Sequence, residues 1–281
     1  MQEKILVVRF GSLGDVILTS PAVLNCKIRF PDSRLTYLTK ARYRDVVARF
    51  DGVDEIITLP DDAGPVAFSR LLRDIEQSGF THLIDLHANL RSWWARTLLA
   101  VPRTVVYDKR RLQRRNIVRT GYHPHSSAHT IDLYNRALKQ FGIAPYAQRP
   151  ILYPPDNGLD GVADFSGHEP LVAIAPGAAH PPKRWPAERF IETAQLIREK
   201  TGARVFWLVT QAEQATFAQL DGTGDPPAHV LIDYPIPALA RLLSRCRVTL
   251  TNDSGMAHLS SAVGTPTLAL FGPTHPALGF A

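Results

Sequence analysis

A glycine-rich turn near the N-terminus places a carboxylate where it could do acid–base chemistry. The loop Phe10-Gly11-Ser12-Leu13-Gly14-Asp15-Val16 leaves an apolar run and opens an amphipathic stretch. Glycines let a backbone turn tightly and let a ligand approach, so Gly11, Ser12 and Gly14 are candidates to meet a ligand through the backbone. A helix dipole keeps a carboxylate at its N-terminus ionised, and such a group can take a proton from a hydroxyl nucleophile. Asp15 is thus a candidate base; the alternative is that it only caps the following helix.

This loop matches neither of two common nucleotide-binding motifs. Val16 stands where a Walker loop that starts at Gly11 needs its second glycine. Leu13 stands where the dinucleotide pattern GxGxxG needs its second glycine. The sequence therefore predicts neither a P-loop nor a dinucleotide fingerprint at this position.

A proline-bounded basic loop follows the apolar run 171–175. It contains Lys183 and Arg184, directly before the helix that Pro186 is well placed to begin. Two cations at such a position suit a diphosphate. The alternative is a surface basic pair beside a structural tryptophan.

Two further strand-end loops carry acids and a helix start. Asp253 or Ser254 can cap the helix after strand 247–251, and Gly255 lets an anion approach the N–H groups there. Asp253 could instead bind sugar hydroxyls. Glu213 follows strand 204–209, where an acid can bind ribose hydroxyls or serve only as a first-turn helix acid.

Short apolar runs alternate with longer amphipathic stretches throughout. Predicted strands cover 4–10, 34–39, 54–58, 81–86, 103–107, 171–175, 204–209, 229–232, 247–251 and 266–271. Predicted helices cover 15–30, 41–50, 65–78, 90–99, 129–142, 187–200, 212–220, 236–245 and 254–263. This alternation, interrupted by a proline-rich stretch, predicts an α/β protein with two doubly wound, Rossmann-like parallel-sheet domains at 1–155 and 156–281. Ligands should bind at the carboxyl ends of the strands, in a cleft between the domains.

Positive charge is concentrated in one segment. The net charge is +6, and residues 103–119 hold one acid, Asp108, among seven basic residues: Arg103, Lys109, Arg110, Arg111, Arg114, Arg115 and Arg119. Such a segment favours a polyanion as partner, with a solvated loop as the alternative. Nucleic acid is disfavoured because the segment has one aromatic residue at each margin, Tyr107 and Tyr122, and lacks a stacking platform inside.

The sequence predicts neither a membrane span nor a cysteine framework. No window reaches 18 apolar residues, and the apolar run at 5–10 is too short for a signal peptide, so we expect a cytoplasmic protein. Cys26 and Cys246 form no disulfide framework or metal cluster and are expected to be buried thiols.

Taken together, these motifs resemble those of the lipopolysaccharide heptosyltransferases, glycosyltransferase family 9, along essentially the whole chain. The matching segments are Gly11-Ser12-Leu13-Gly14-Asp15-Val16 with Pro21-Ala22; Asp85-Leu86-His87 with Asn89-Leu90-Arg91-Ser92; Pro176-Gly177 with Lys183-Arg184-Trp185-Pro186; and Asn252-Asp253-Ser254-Gly255 with His258-Leu259, continuing through Phe271-Gly272-Pro273-Thr274.

The resemblance implies a GT-B fold and an inverting transfer of heptose from ADP-heptose to a lipopolysaccharide core acceptor, with neither cofactor nor metal. By the resemblance, Asp15 is the catalytic base and Lys183 neutralises the departing diphosphate. Asp253 contacts the donor sugar and Glu213 the adenosine ribose. The backbone of Ser254 and Gly255 binds phosphate.

The basic segment gains a meaning from the same resemblance. It falls in the N-terminal domain, which holds the acceptor in GT-B enzymes, and the lipopolysaccharide core is rich in carboxylates and phosphates. Candidate acceptor-binding residues are Arg110, Arg111, Arg114 and Arg115. They would hold this anionic glycolipid at the inner face of the inner membrane, which the protein would contact peripherally.

Two departures from the family pattern leave alternatives. Ala178 and Ala179 replace hydroxyl residues that are common after the Pro-Gly pair. Family members usually continue for some tens of residues past the point where this chain stops, at Ala281, so the C-terminal domain is expected to be incomplete. The alternatives are a family member with another nucleotide-sugar donor or acceptor, and a truncated, non-catalytic relative that binds nucleotide sugars.

Overall fold

The computed structural model describes residues 2–120, 128–156, 167–217, 229–272 and 279. The chain divides into two compact units, Met1–Pro150 and Ile151–His275. Gly279 returns to the first unit, where its carbonyl accepts hydrogen bonds from the Thr130 backbone N–H at 2.8 Å and from Thr130 Oγ1 at 2.7 Å. Residues 218–220 of a predicted helix, and Pro273 and Thr274 of the last motif, lie outside the described residues.

The first unit is a parallel five-stranded sheet of order β3-β2-β1-β4-β5. Its strands are β1 (Lys4–Val8), β2 (Arg34–Lys40), β3 (Glu55–Leu59), β4 (His82–Asp85) and β5 (Arg103–Val106). Its helices are α1 (Leu13–Ile17), α2 (Ser20–Arg29), α3 (Arg44–Val47), α4 (Pro65–Glu76), α5 (Leu90–Leu99), α6 (Arg111–Thr120) and α7 (Thr130–Leu138). Residues 5–8 of the central strand are buried on both faces, as expected for a parallel strand that helices cover from both sides.

The second unit repeats this topology with the order β8-β7-β6-β9-β10. Its strands are β6 (Leu171–Ala175), β7 (Arg204–Val209), β8 (His229–Ile232), β9 (Val248–Asn252) and β10 (Thr267–Leu270). Its described helices are α8 (Ala187–Thr201), α9 (Gln211–Phe217), α10 (Ile236–Leu243) and α11 (Gly255–Ala262). Trp207 and Phe190 are buried in its core, between β7 and α8. The predicted α/β fold with two doubly wound sheets is confirmed.

The predicted helix 15–30 is wrong in one respect, because the structure breaks it into α1 and α2. Pro21 has no N–H to continue the helical ladder and stands in the first turn of α2. The Ser20 hydroxyl instead donates to the Ile17 carbonyl at 2.8 Å, and the Thr19 hydroxyl donates to the Val16 carbonyl at 2.6 Å. The break confines α1 to a single short turn that carries Asp15.

Helix α6 was not predicted, because its sequence lacks an apolar stripe. Among its described side chains Ile117 is buried, whereas Leu112 is 80% exposed and most of the remainder are polar or cationic. Hydrophobic periodicity cannot report a helix that packs through so few apolar side chains.

Candidate functional site

In each sheet the chain first adds strands on one side of the central strand and then continues on the other side. This reversal of strand order falls between β1 and β4 in the first sheet and between β6 and β9 in the second. Ligands of doubly wound sheets bind outside the carboxyl ends of the strands at this reversal. Asp15 lies in α1, directly after the loop that follows β1, and His87 lies in the loop after β4. Lys183 and Asp253 lie in the segments after β6 and β9. The topology therefore places three of the sequence-predicted residues, Asp15, Lys183 and Asp253, at the position where a ligand is expected.

Asp15 both caps its helix and keeps one oxygen available. Its Oδ2 accepts hydrogen bonds from the Ser12 N–H at 3.3 Å and the Ser12 hydroxyl at 3.1 Å, and it pairs with Arg9 Nη2 at 2.5 Å. Its Oδ1 accepts no hydrogen bond from any described residue, and the side chain is 24% exposed. Oδ2 therefore makes the contacts of a helix cap, and Oδ1 takes no part in them.

Arg9 holds that carboxylate in place, although sequence reasoning missed it. The side chain is only 4% exposed, and it donates to the carbonyls of Gly11 at 2.8 Å and Leu86 at 2.5 Å. Burial by itself lowers the pKa of Arg9, but interactions with Tyr134 and Asp15 outweigh burial and raise the pKa above its usual value. A signal was present, because an arginine at the end of an otherwise apolar strand needs a partner when it is buried.

Gly11 is required where the chain leaves β1. Its φ of 145° lies in a region that L side chains rarely adopt, and a Cβ there would lie 3.1 Å from Tyr43 Cε2. The Tyr43 ring thus packs against the Gly11 backbone. Burial raises the pKa of Tyr43, so a neutral phenol borders the Asp15 loop at neutral pH.

The loop after β4 is shaped by a buried carboxylate. Asp85 Oδ1 accepts hydrogen bonds from the N–H groups of His87 at 2.9 Å and Ala88 at 2.8 Å, and its Oδ2 lies 3.2 Å from Arg96 Nε. These bonds turn the chain so that the His87 ring stands edge-on to Phe10, with centroids 5.5 Å apart. The loops after β1 and β4 are therefore in contact.

His87 is a second candidate to which sequence reasoning gave no role. Burial lowers its pKa to about 3, and the positive charges of Arg9 and Lys109 act in the same direction. Its Nδ1 is buried and has no hydrogen-bond partner among the described residues. A neutral imidazole with an unsatisfied nitrogen therefore lies near Asp15.

The predicted acceptor-binding arginines occupy different environments. Arg110 and Arg111 line a cavity of about 540 Å³ together with Ala88 and Lys109. Arg114 points inward and donates to Thr130 Oγ1 at 3.2 Å, whereas Arg115 is exposed. Two of the four arginines thus share a concave surface beside the loop after β4.

In the second unit the loops after β6 and β9 are tied by an amide. Asn252 is fully buried; its Nδ2 donates to the Pro176 carbonyl at 2.6 Å, and its Oδ1 accepts from the Trp185 N–H at 3.1 Å. Lys183 Nζ then lies 2.6 Å from Asp253 Oδ2. Sequence reasoning selected Lys183 and Asp253 but missed the asparagine that positions both loops.

Glu213 lies beside the Pro-Gly turn after β6. Its Oε2 accepts hydrogen bonds at 2.9 Å from both the N–H and the hydroxyl of Thr210, so it caps α9. Its Oε1 would lie 2.5 Å from a Cβ on Gly177. Glycine at this position therefore lets the carboxylate reach the turn.

Ser254 and Gly255 form the start of α11. Ser254 is the N-cap, and its hydroxyl accepts from the Met256 N–H at 3.3 Å. Gly255 is the first helical residue, so no side chain covers the helix N-terminus at that point. Such an N-terminus attracts anions through its N–H groups and its dipole.

Metal-ligating clusters, cysteines and membrane-spanning helices can be assessed for the described part of the chain. No group of three or more His, Cys, Asp or Glu side chains there could hold a metal ion. Cys26 and Cys246 are buried thiols, as predicted. No helix among the described residues is both long enough and apolar enough to cross a bilayer.

A comparison with known families supports the sequence resemblance. Residues 68–278 match the sequence model of glycosyltransferase family 9 (heptosyltransferase). The chain belongs to this family. It is accordingly a glycosyltransferase, and the predicted family and enzyme class are both confirmed.

Individual family 9 proteins are similar along nearly the whole chain. The chain is 24% identical to lipopolysaccharide heptosyltransferase 1 of Pseudomonas aeruginosa, over 97% of this chain and 79% of the relative. It is also 24% identical to lipopolysaccharide heptosyltransferase 2 of Escherichia coli K12, over 97% of this chain and 84% of the relative. The structure of E. coli heptosyltransferase WaaC with ADP-2-deoxy-2-fluoro heptose superposes with a TM-score of 0.75 at 18% identity, covering 97% of this chain and 90% of that one. The GT-B fold of the family 9 enzyme is thereby confirmed.

Proposed function

We propose that this glycosyltransferase moves a heptose from ADP-heptose to a lipopolysaccharide core acceptor, with inversion and without a metal ion. The observation that carries the proposal is Asp15, a carboxylate at the end of the central strand with Oδ2 held by Ser12 and Arg9 and Oδ1 available. The donor and acceptor classes follow the names of the relatives and the ADP-heptose analogue in the WaaC structure.

The available oxygen gives Asp15 the role of general base. An acceptor hydroxyl that donates to Oδ1 would pass its proton to the carboxylate while its oxygen attacks the anomeric carbon. The bond from that carbon to the departing ADP oxygen breaks on the opposite face, so a single displacement inverts the configuration. Arg9 and Ser12 orient the carboxylate, which is the kind of positioning that accelerates such steps.

The leaving group would be stabilised in the second unit. Lys183 lies next to the start of α11, and both can bind the negative charge that develops on the diphosphate. Lys183 would exchange Asp253 for the diphosphate when the donor binds, which leaves the Asp253 carboxylate for the sugar hydroxyls. With a lysine and helix N–H groups in these positions, the transfer does not require a metal ion to neutralise the diphosphate.

The adenosine would be held through its ribose by Glu213. One oxygen of this carboxylate is fixed by Thr210, and Oε1 receives no hydrogen bond from any described residue. An ionised carboxylate oxygen in this position can accept hydrogen bonds from ribose hydroxyls. Asp15 and Glu213 thus share one design, in which one oxygen anchors the side chain and the other is left for substrate.

The anionic acceptor would occupy the basic cavity of the first unit. Arg110, Arg111 and Lys109 line it. Burial lowers the pKa of Lys109, and the positive charges of Arg9 and Arg111 act in the same direction. Neighbouring cations without a matching number of acids favour a bound phosphate or carboxylate.

The test is ADP release from ADP-heptose, with deacylated lipopolysaccharide core as acceptor and EDTA present. Wild type should release ADP only when acceptor is present, and Asp15→Asn should lower kcat by about 10²- to 10⁴-fold, the usual contribution of a general base. Asp45→Asn is the matched control, since Asp45 is an exposed acid in the first turn of α3. Full activity of Asp15→Asn would contradict the base, and release with another nucleotide sugar alone would contradict the donor.

A further inference from the structure

Two large apolar side chains stand on the surface at the beginning of α5. Leu90 is 85% exposed and Trp93 is 56% exposed, and their spacing of three residues places them on one face of the helix. Leu112, near the beginning of α6, is 80% exposed. Single exposed apolar residues are ordinary, but a local group that includes a tryptophan indicates an interaction surface.

The beginnings of α5 and α6 are adjacent in the first unit. Arg111 Nη2 donates to the Ala88 carbonyl at 2.8 Å, two residues before Leu90. Ala88 and Leu112 also line the same cavity. The three exposed apolar side chains therefore belong to one neighbourhood.

Helix α6 adds a row of cations to this neighbourhood. Arg111, Arg115 and Arg119 are spaced by four residues, so they follow one helix face, and all three are exposed. Within the described residues none of the three is ion-paired with a carboxylate (the ten ion pairs found there involve other residues). The opposite face holds the helix to the unit through buried Ile117 and inward-pointing Arg114.

We propose that these residues form a docking face for an anionic lipid bilayer; the docking face consists of Leu90, Trp93, Leu112, Arg111, Arg115 and Arg119. Tryptophan and leucine side chains insert at the level of the lipid headgroups, and arginines bind the headgroup phosphates. An acidic protein partner would match the arginines, but it would not by itself explain why a tryptophan and two leucines are exposed beside them.

The location of the docking face deepens the proposed function. It adjoins the basic cavity, because Arg111 and Leu112 belong to both. A bilayer bound there would present a lipid-anchored, anionic glycan beside the loop after β4. This consequence rests on the proposed acceptor, whereas binding of the bilayer itself does not.

Vesicle co-sedimentation tests the docking face independently of catalysis. The protein should sediment with vesicles of phosphatidylcholine and phosphatidylglycerol, and much less with vesicles of phosphatidylcholine alone. Trp93→Glu and Leu90→Glu should each lower the partition coefficient about 10-fold, as expected when an apolar side chain no longer inserts. Arg119→Glu should lower it at least about fivefold, the contribution of one basic residue near an anionic surface.

The matched controls lie on α4. Val66 is 72% exposed and Arg70 is exposed, so Val66→Glu and Arg70→Glu make the same chemical changes on another surface and should bind vesicles as wild type does. Because all of these side chains are exposed, the variants should fold, which circular dichroism checks. Equal binding to both kinds of vesicle, or wild-type binding by Trp93→Glu and Arg119→Glu, would overturn the proposal.

A second measurement separates this proposal from the proposed function. Trp93→Glu and Arg119→Glu should release ADP normally with the deacylated, water-soluble acceptor, and more slowly than wild type with an acylated acceptor in vesicles. If the two variants lose ADP release with both acceptors, the docking role is refuted. If the wild type releases no ADP, the transfer reaction is refuted, and sedimentation alone then tests vesicle binding.

Discussion

At the scale of single residues, the two oxygens of Asp15 explain why spacing alone left its role open. A carboxylate at the third position of a helix can cap the helix N-terminus, and it can also serve as a base there, so its position fits both roles equally. The structure shows that Oδ2 makes the cap and the pair with Arg9, so the two roles do not exclude each other. Sequence reasoning could select Asp15, but only the structure shows that Oδ2 alone makes these contacts.

His87 gives a prediction about stability and pH. Its pKa is lowered to about 3 in the folded protein, whereas an unfolded histidine has a pKa of about 6.5. The folded state therefore binds fewer protons between these values, and its stability should decrease as the pH falls below about 6.5. At about pH 5 this one group should cost about 2 kcal/mol relative to neutral pH, since one pKa unit corresponds to about 1.4 kcal/mol.

Urea unfolding at neutral pH and at about pH 5 measures this contribution. The free energy of unfolding of His87→Gln should fall less between the two conditions than that of wild type, by the same approximate amount of 2 kcal/mol. His180→Gln serves as control because His180 is exposed. If acidification lowers the free energy of unfolding of wild type and of His87→Gln by the same amount, the inference that His87 is buried as a neutral imidazole is wrong.

At the scale of elements, the donor side depends on close approach between loops. Gly177→Ala would add a Cβ 2.5 Å from Glu213 Oε1, and the flexible carboxylate would have to move away. The fold should tolerate this change because the contact is with the end of a side chain. We expect the KM for ADP-heptose to rise about 10-fold, equivalent to about 1.4 kcal/mol, with the acceptor KM unchanged.

The control for that variant is Gly64→Ala. Gly64 has no heavy atom within 4 Å of the added Cβ and does not adopt a positive φ, so its substitution should leave both KM values unchanged. Steady-state kinetics with each substrate varied in turn separates the cases. An unchanged donor KM in Gly177→Ala would show that Glu213 does not contact the nucleotide.

At the scale of the whole molecule, donor binding should stabilise the folded chain without help from a metal ion. A ligand that binds only the folded state at 100 times its Kd stabilises it by about 2.7 kcal/mol. ADP should therefore raise the Tm, and by the same amount when EDTA is present, because Lys183 and the start of α11 supply the positive charge. Lys183→Met should reduce this increase.

Differential scanning fluorimetry measures these changes in Tm. Loss of the ADP-induced increase in Tm on addition of EDTA would show that a cation bridges the diphosphate. Lys200→Met is a suitable control, since Lys200 is an exposed lysine at the end of α8. It should respond to ADP as wild type does.

The sequence by itself determined the two parallel sheets, because buried parallel strands are continuous apolar runs whose period differs from that of the helices between them. It also predicted the strand-end segments that carry Asp15, Lys183, Glu213 and Asp253, because chain order alone places those segments at the carboxyl ends of strands. Family membership likewise follows from local motifs.

Only the tertiary structure decided which groups meet. Arg9 reaches Asp15, and Asn252 ties Pro176 to Trp185, through side-chain bonds whose partners lie on different elements. A local pattern can show that a buried polar side chain needs a partner, but it does not identify the partner. Sequence reasoning did not predict helix α6 or the docking face, for a related reason. Hydrophobic periodicity records the face of a helix that is buried, whereas α6 buries little apolar surface and presents its arginines and Leu112 outward.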